Sequence, residues 1–96
     1  MHESQARIAT YEASRYLVAL AELWNHTYPV RYDNLTAEVK LPAAELVMTA
    51  DGDSLTLRLI GSERDVFEST KLLIAKHVDG VMEAETGIRC EWHPLL

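Results

Sequence analysis

Between residues 30 and 60 apolar and polar side chains alternate, and the alternation changes phase at Asp33-Asn34. Period-two alternation marks strands that bury one face. Val30 and Tyr32 precede the break, and Leu35, Ala37, Val39 and Leu41 follow it. A two-residue turn at Asp33-Asn34 reconciles the phases. It sets Tyr32 opposite Leu35 and Val30 opposite Ala37, with Asp and Asn accepting the positive φ such a turn uses. A loop from Pro42 to Glu45 sets Leu41 against Leu46 and Val39 against Met48. Asp51-Gly52, a strong hairpin signal, sets Ala50 against Asp53, Met48 against Leu55 and Leu46 against Leu57. The same register makes Glu45 and Arg58 cross-strand neighbours on the other face. The result is an antiparallel four-strand meander whose apolar face needs one covering layer.

Two helical stretches supply that layer. Ala13, Tyr16, Leu17, Leu20, Ala21 and Trp24 recur with helical spacing, with Thr10 as cap and Glu12 in the first turn. Pro29 forbids further helix. In the second stretch, Ser62 and Asp65 have the spacing of a capping box. Val66, Thr70, Leu73, Ile74, His77, Val78 and Val81 form the inner stripe, with Phe67 at its edge and Gly80 as the stop. Short strand signals at Ala6–Thr10 and Ile88–Trp92 complete the order β-α-β-β-β-β-α-β. The fold class expected is α+β, a two-layer sandwich with the meander packed by two helices.

The chain has 96 residues, 48% hydrophobic and 25% charged. That suits one globular domain over residues 1–96 and excludes a disordered chain. Nine Lys and Arg against fifteen Asp and Glu give a net charge of −6. A nucleic-acid or anionic-membrane partner would call for the opposite sign. No apolar run is long enough to span a bilayer, and the first residues lack the features of a signal peptide. One cysteine, Cys90, cannot form an internal disulfide. These features fit a cytoplasmic protein.

His77 lies on an apolar stripe near a helix end. It reads either as a metal ligand or base, or as a half-buried histidine bonded to a carbonyl or to Asp79. His26 follows Glu22 by four residues, the spacing of an exposed helical pair. If the helices run antiparallel, the two imidazoles lie about 20 Å apart, for 14 residues at ~1.5 Å each. Trp24, Tyr28 and Tyr32 read as core aromatics or as the lining of a ligand cleft. Cys90 alternates with Ile88 and Trp92 and reads as a small buried hydrophobe. No metal-binding, nucleotide-binding or hydrolase motif is present.

Several segments resemble a small bacterial family, domain of unknown function 2218. They are Ala6-Arg7-Ile8-Ala9-Thr10, Ala13-Ser14-Arg15-Tyr16-Leu17, His26 with Tyr28-Pro29-Val30, Asp51-Gly52-Asp53-Ser54-Leu55-Thr56-Leu57, Ala75-Lys76-His77 and Trp92. The resemblance implies a standalone protein, or one fused to a flavin-dependent siderophore-interacting reductase. It thereby points to iron or siderophore metabolism. It makes Arg15, His26 and His77 the candidate functional residues, and it supplies neither a catalytic residue nor a cofactor. Three functions follow as expectations. The first is a non-enzymatic accessory module that binds a small molecule or partners a siderophore reductase. The second is an oligomerisation module, a homodimer built on the sheet face where Val47 and Ile60 interrupt the polar pattern. The third is a small enzyme using His77 as base.

Overall fold

The computed structural model describes residues 2–82 and 92–94. Its elements are β1 (His2–Ala9), α1 (Ala13–Asn25), β2 (Val30–Tyr32), β3 (Thr36–Leu41), β4 (Ala44–Ala50), β5 (Ser54–Gly61), α2 (Arg64–Met82) and β6 (His93–Pro94). This is the expected element order. Among the described residues, one antiparallel sheet holds every strand, in the order β2-β3-β4-β5-β1-β6. The sheet and the two helices enclose a single core, in which Leu17, Leu20, Leu46, Met48, Leu55, Leu57, Leu59, Ile74 and Val78 are buried. Among the described residues, no helix is long and apolar enough to cross a membrane.

The buried face of the meander is the expected one, but all three hairpin registers differ from expectation by two residues. Tyr32 lies opposite Ala37, not Leu35. Leu41 lies opposite Ala44 and Val39 opposite Leu46. Leu46 lies opposite Leu59, and Met48 opposite Leu57. Each turn is centred one residue from its expected place, and each displacement has a local cause. At the first turn the Asp33 backbone N–H donates to the Thr36 carbonyl at 2.9 Å. The Asp33 carboxylate accepts the Leu35 and Thr36 backbone N–H groups at 2.8 and 2.9 Å. This Asx-type capture makes Asn34 and Leu35 the central residues without positive φ, and it leaves Leu35 60% exposed. At the second turn, Pro42 is followed by Ala43 at φ 61°, which tightens the loop to two residues. At the third, Asp51 N–H donates to the Ser54 carbonyl at 2.8 Å, so Gly52 and Asp53 form the turn. Glu45 therefore faces Ile60, and Arg58 faces Val47. The ion-pair partner of Arg58 is Glu3, at 2.8 Å.

The remaining differences lie at element ends. β1 begins at His2 and pairs along the whole of β5. Glu12, expected in the first turn of α1, is its N-cap residue. Thr10 Oγ1 accepts the Glu12 N–H at 3.1 Å, holding the chain just ahead of the helix. The Ser62–Asp65 capping box does not form. Instead the Glu63 carbonyl accepts the Phe67 N–H at 2.8 Å. α2 runs through Gly80 to Met82, because a glycine in a helix weakens it without ending it. Its buried stripe is rotated towards Phe67, Ile74 and Val78, leaving Leu73 39% exposed. The expected strand over Ile88–Trp92, with Cys90, falls mostly outside the described residues. Trp92 packs on the core, and β6 pairs with Ser4 and Gln5.

Candidate functional site

The candidate residues divide between the two ends of α1. At its last turn Trp24 is buried, and its indole Nε1–H donates to His77 Nδ1 at 2.7 Å, the rings 5.9 Å apart and tilted by 44°. α1 touches β2, β3, β4 and β5, so it lies obliquely across the sheet. The premise behind the expected separation of His26 and His77, that the last turns of the two helices point opposite ways, is therefore overturned, since Trp24, in the last turn of α1, reaches His77. Strand direction decides where each helix starts, not how steeply it crosses its neighbour. Trp24, not Asp79, is the partner of His77.

This bond assigns the imidazole tautomer. An indole N–H can only donate, so Nδ1 carries the lone pair and the proton of the neutral ring sits on Nε2. Neither nitrogen is left with a free lone pair for a metal or a substrate proton. Tyr28 is half-buried on the core, and its backbone N–H donates to the Trp24 carbonyl at 2.8 Å. His26 is exposed beyond the helix. No hydrogen bond or ring contact joins it to His77 among the described residues. Tyr32 is 41% exposed at the end of β2.

At the first turn of α1 lies a surface hollow of about 620 Å³, where the β1–α1 junction meets the β2–β3 and β4–β5 turns. Tyr11, Glu12, Ser14, Arg15, Leu35, Ala50, Asp51 and Gly52 line it. Three hydrogen bonds hold these pieces together. Ser14 Oγ donates to the Asn34 carbonyl at 2.7 Å. Ala50 N–H donates to the Leu35 carbonyl at 2.8 Å, and Thr10 N–H to the Asp53 carbonyl at 3.0 Å. Arg15 pairs with Glu12, and its guanidinium stands 5.7 Å from the Tyr16 ring centroid. Asp33, in the adjoining turn, has its carboxyl held below the ordinary aspartate value of 3.8 by the Leu35 N–H, the Thr36 N–H and the Thr36 hydroxyl.

Of the sequence-derived candidates, only Arg15 lines this hollow. Tyr11, Leu35 and Asp51 were missed. Tyr11 carries the available signal, being a large aromatic outside the apolar stripe of α1, and it stands 91% exposed. Leu35 was misplaced by the register of the first turn. Among the described residues, no group of three or more His, Cys, Asp or Glu side chains is arranged to hold a metal ion.

A six-strand antiparallel sheet under two helices, with a hollow where the turns meet α1, defines a small α+β domain. The chain belongs to the family of uncharacterized proteins conserved in bacteria known as DUF2218, which matches it over residues 5–93. The NMR structure of PA4090 from Pseudomonas aeruginosa has the same fold, with a TM-score of 0.79. The match covers 98% of this chain and 97% of that one at 20% identity. No curated protein matches the chain.

Proposed function

We propose that this domain is a non-enzymatic accessory module that binds a small molecule in the hollow at the first turn of α1. In this reading it acts in cytoplasmic iron or siderophore metabolism, alongside a siderophore-interacting reductase. The observation that carries the binding role is the pair of large side chains, Tyr11 and Leu35, exposed at 91% and 60% around one concave site beside Arg15. Neither belongs to the core, and loops that converge on a rigid scaffold are where binding residues concentrate. The engagement of His77 by Trp24 counts against the enzyme reading, because it occupies the lone pair a general base needs. The iron link rests on the family resemblance. Adding ferrioxamine B or ferrichrome to the 15N-labelled chain tests it, since the ferric ion broadens nearby amide signals. Broadening confined to Tyr11, Arg15, Leu35 and Gly52 is expected. Uniform or absent broadening removes the iron link.

A homodimer is the second reading, favoured by one correction to the register. Val47 faces Arg58 and Ile60 faces Glu45, which makes Val47 and Ile60 diagonal neighbours on the helix-free face. The charged pairs Arg31–Glu38 and Lys40–Glu45 face each other on that same surface, as they do on solvated sheets. Light scattering across a concentration series decides. A strict monomer discards the dimer.

A further inference from the structure

We propose that the hollow selects an organic cation, a primary ammonium on an apolar or aromatic body. The inference rests on the hollow being the ligand site and adds the charge of the ligand. Two acidic side chains and one basic one line it: Glu12, Asp51 and Arg15. Arg15 and Glu12 neutralise each other as an ion pair. The Asp51 carboxylate has no cation or hydrogen-bond donor among the described residues; only its backbone N–H is engaged, in the turn. The nearby Asp33 carboxylate is occupied by its own turn. An anion entering the hollow would therefore meet an unpaired carboxylate, whereas an ammonium would complete it.

The rest of the lining suits the body of such a ligand. Tyr11 offers a ring face that attracts cations and packs on apolar groups, and Leu35 and Ala50 supply further apolar surface. Gly52 keeps the approach to Asp51 clear, since even an added Cβ would meet nothing within 4 Å.

The test compares three probes of nearly one shape on the full chain by NMR: phenethylamine, 2-phenylethanol and 3-phenylpropionate. The amine should shift the Tyr11, Leu35 and Gly52 signals saturably, the alcohol should bind several-fold more weakly, and the carboxylate should leave them unmoved. Asp51→Asn, a change at an exposed turn, should reduce the affinity for the amine to that for the alcohol. Tyr11→Ala should weaken both. Equal binding of amine and alcohol, or an amine affinity indifferent to Asp51→Asn, overturns the cation selection while leaving the hollow a ligand site. Binding of the carboxylate as tightly as the amine does the same. If none of the three probes shifts these signals, the hollow is not a site for small aromatic ligands and the binding reading falls with the selection. The amide spectrum of each variant shows whether the fold is intact.

Discussion

The two ends of α1 are built on opposite terms. At its last turn the buried indole has a partner: Trp24 is bonded to His77, and the Trp24 carbonyl accepts the Tyr28 N–H. The same end of the sheet, by chain direction, holds the tight packing of Gly61 against Phe67 and Ala43. At the first turn of α1, Tyr11, Leu35 and the Asp51 carboxylate face solvent around a hollow. One end has its chemistry satisfied internally, so it supplies stability. The other leaves large side chains exposed to solvent, which is the basis of the binding role proposed above. His77 belongs to the first end, and the exposed Tyr11 and Leu35 to the second.

Breaking the satisfied end should be costly. Trp24→Ala removes a large buried side chain and should cost about 3–5 kcal/mol in denaturant unfolding. Trp24→Phe keeps most of the ring but strands the His77 acceptor, for roughly 1–3 kcal/mol. His77→Phe alone strands the indole donor at similar cost. Replacing both partners with phenylalanine should cost clearly less than the two single changes added together, because no half-pair is left buried. Simple additivity would show that the bond contributes nothing to the closed end.

Gly61 gives the next largest effect. A Cβ there would sit 3.0 Å from Phe67 Cδ1 and 3.3 Å from the Ala43 carbonyl oxygen. Gly61→Ala should cost roughly 1–3 kcal/mol, as overpacking does. A neutral change would mean that Phe67 swings aside freely and that this end is looser than its packing implies.

How much of this was legible in the sequence follows from what alternation encodes. The pattern at Val39, Leu46, Met48 and Leu57 names a face, because a slip by one residue would turn every side chain outward. A slip by two leaves the face unchanged, so alternation cannot see it. The deciding information lay in short-range chemistry: the Asp33 carboxylate reaching the Leu35 and Thr36 N–H groups, and Ala43 accepting φ 61° after Pro42. The start of β1 carried no apolar signal, since Ser4 is a buried polar residue within it. The hollow was illegible for a related reason. Tyr11, Leu35 and Asp51 come from three separate turns, and only the register brings them together.

Ala43 tests the second turn by relief rather than damage. An L-residue at positive φ is strained by roughly 1–2 kcal/mol, while glycine adds unfolded-state entropy of about 0.5–1 kcal/mol. Ala43→Gly should therefore stabilise the domain by up to about 1 kcal/mol. A loss of stability would indicate that the alanine side chain contributes packing that outweighs its strain.

The smallest effect belongs to the open end and depends on pH. Asp33 holds the β2–β3 turn as a carboxylate, and its pKa is depressed by the Leu35 and Thr36 N–H groups that it accepts. A depressed carboxylate contributes stability above its unfolded value, and that contribution fades as pH falls through the lower folded value. The stability gap between the native chain and Asp33→Ala should thus be constant near neutrality. It should shrink only below the ordinary aspartate value of 3.8. The Leu35 and Thr36 amide signals should titrate over that same acidic window, because their acceptor is the group being protonated. Since Leu35 lines the hollow, ligand affinity should decline over this range along with the turn. A gap that persists unchanged well below that window would mean that backbone bonds alone hold the turn. The Asp33 N–H to Thr36 carbonyl bond would then fix the register without help from the carboxylate.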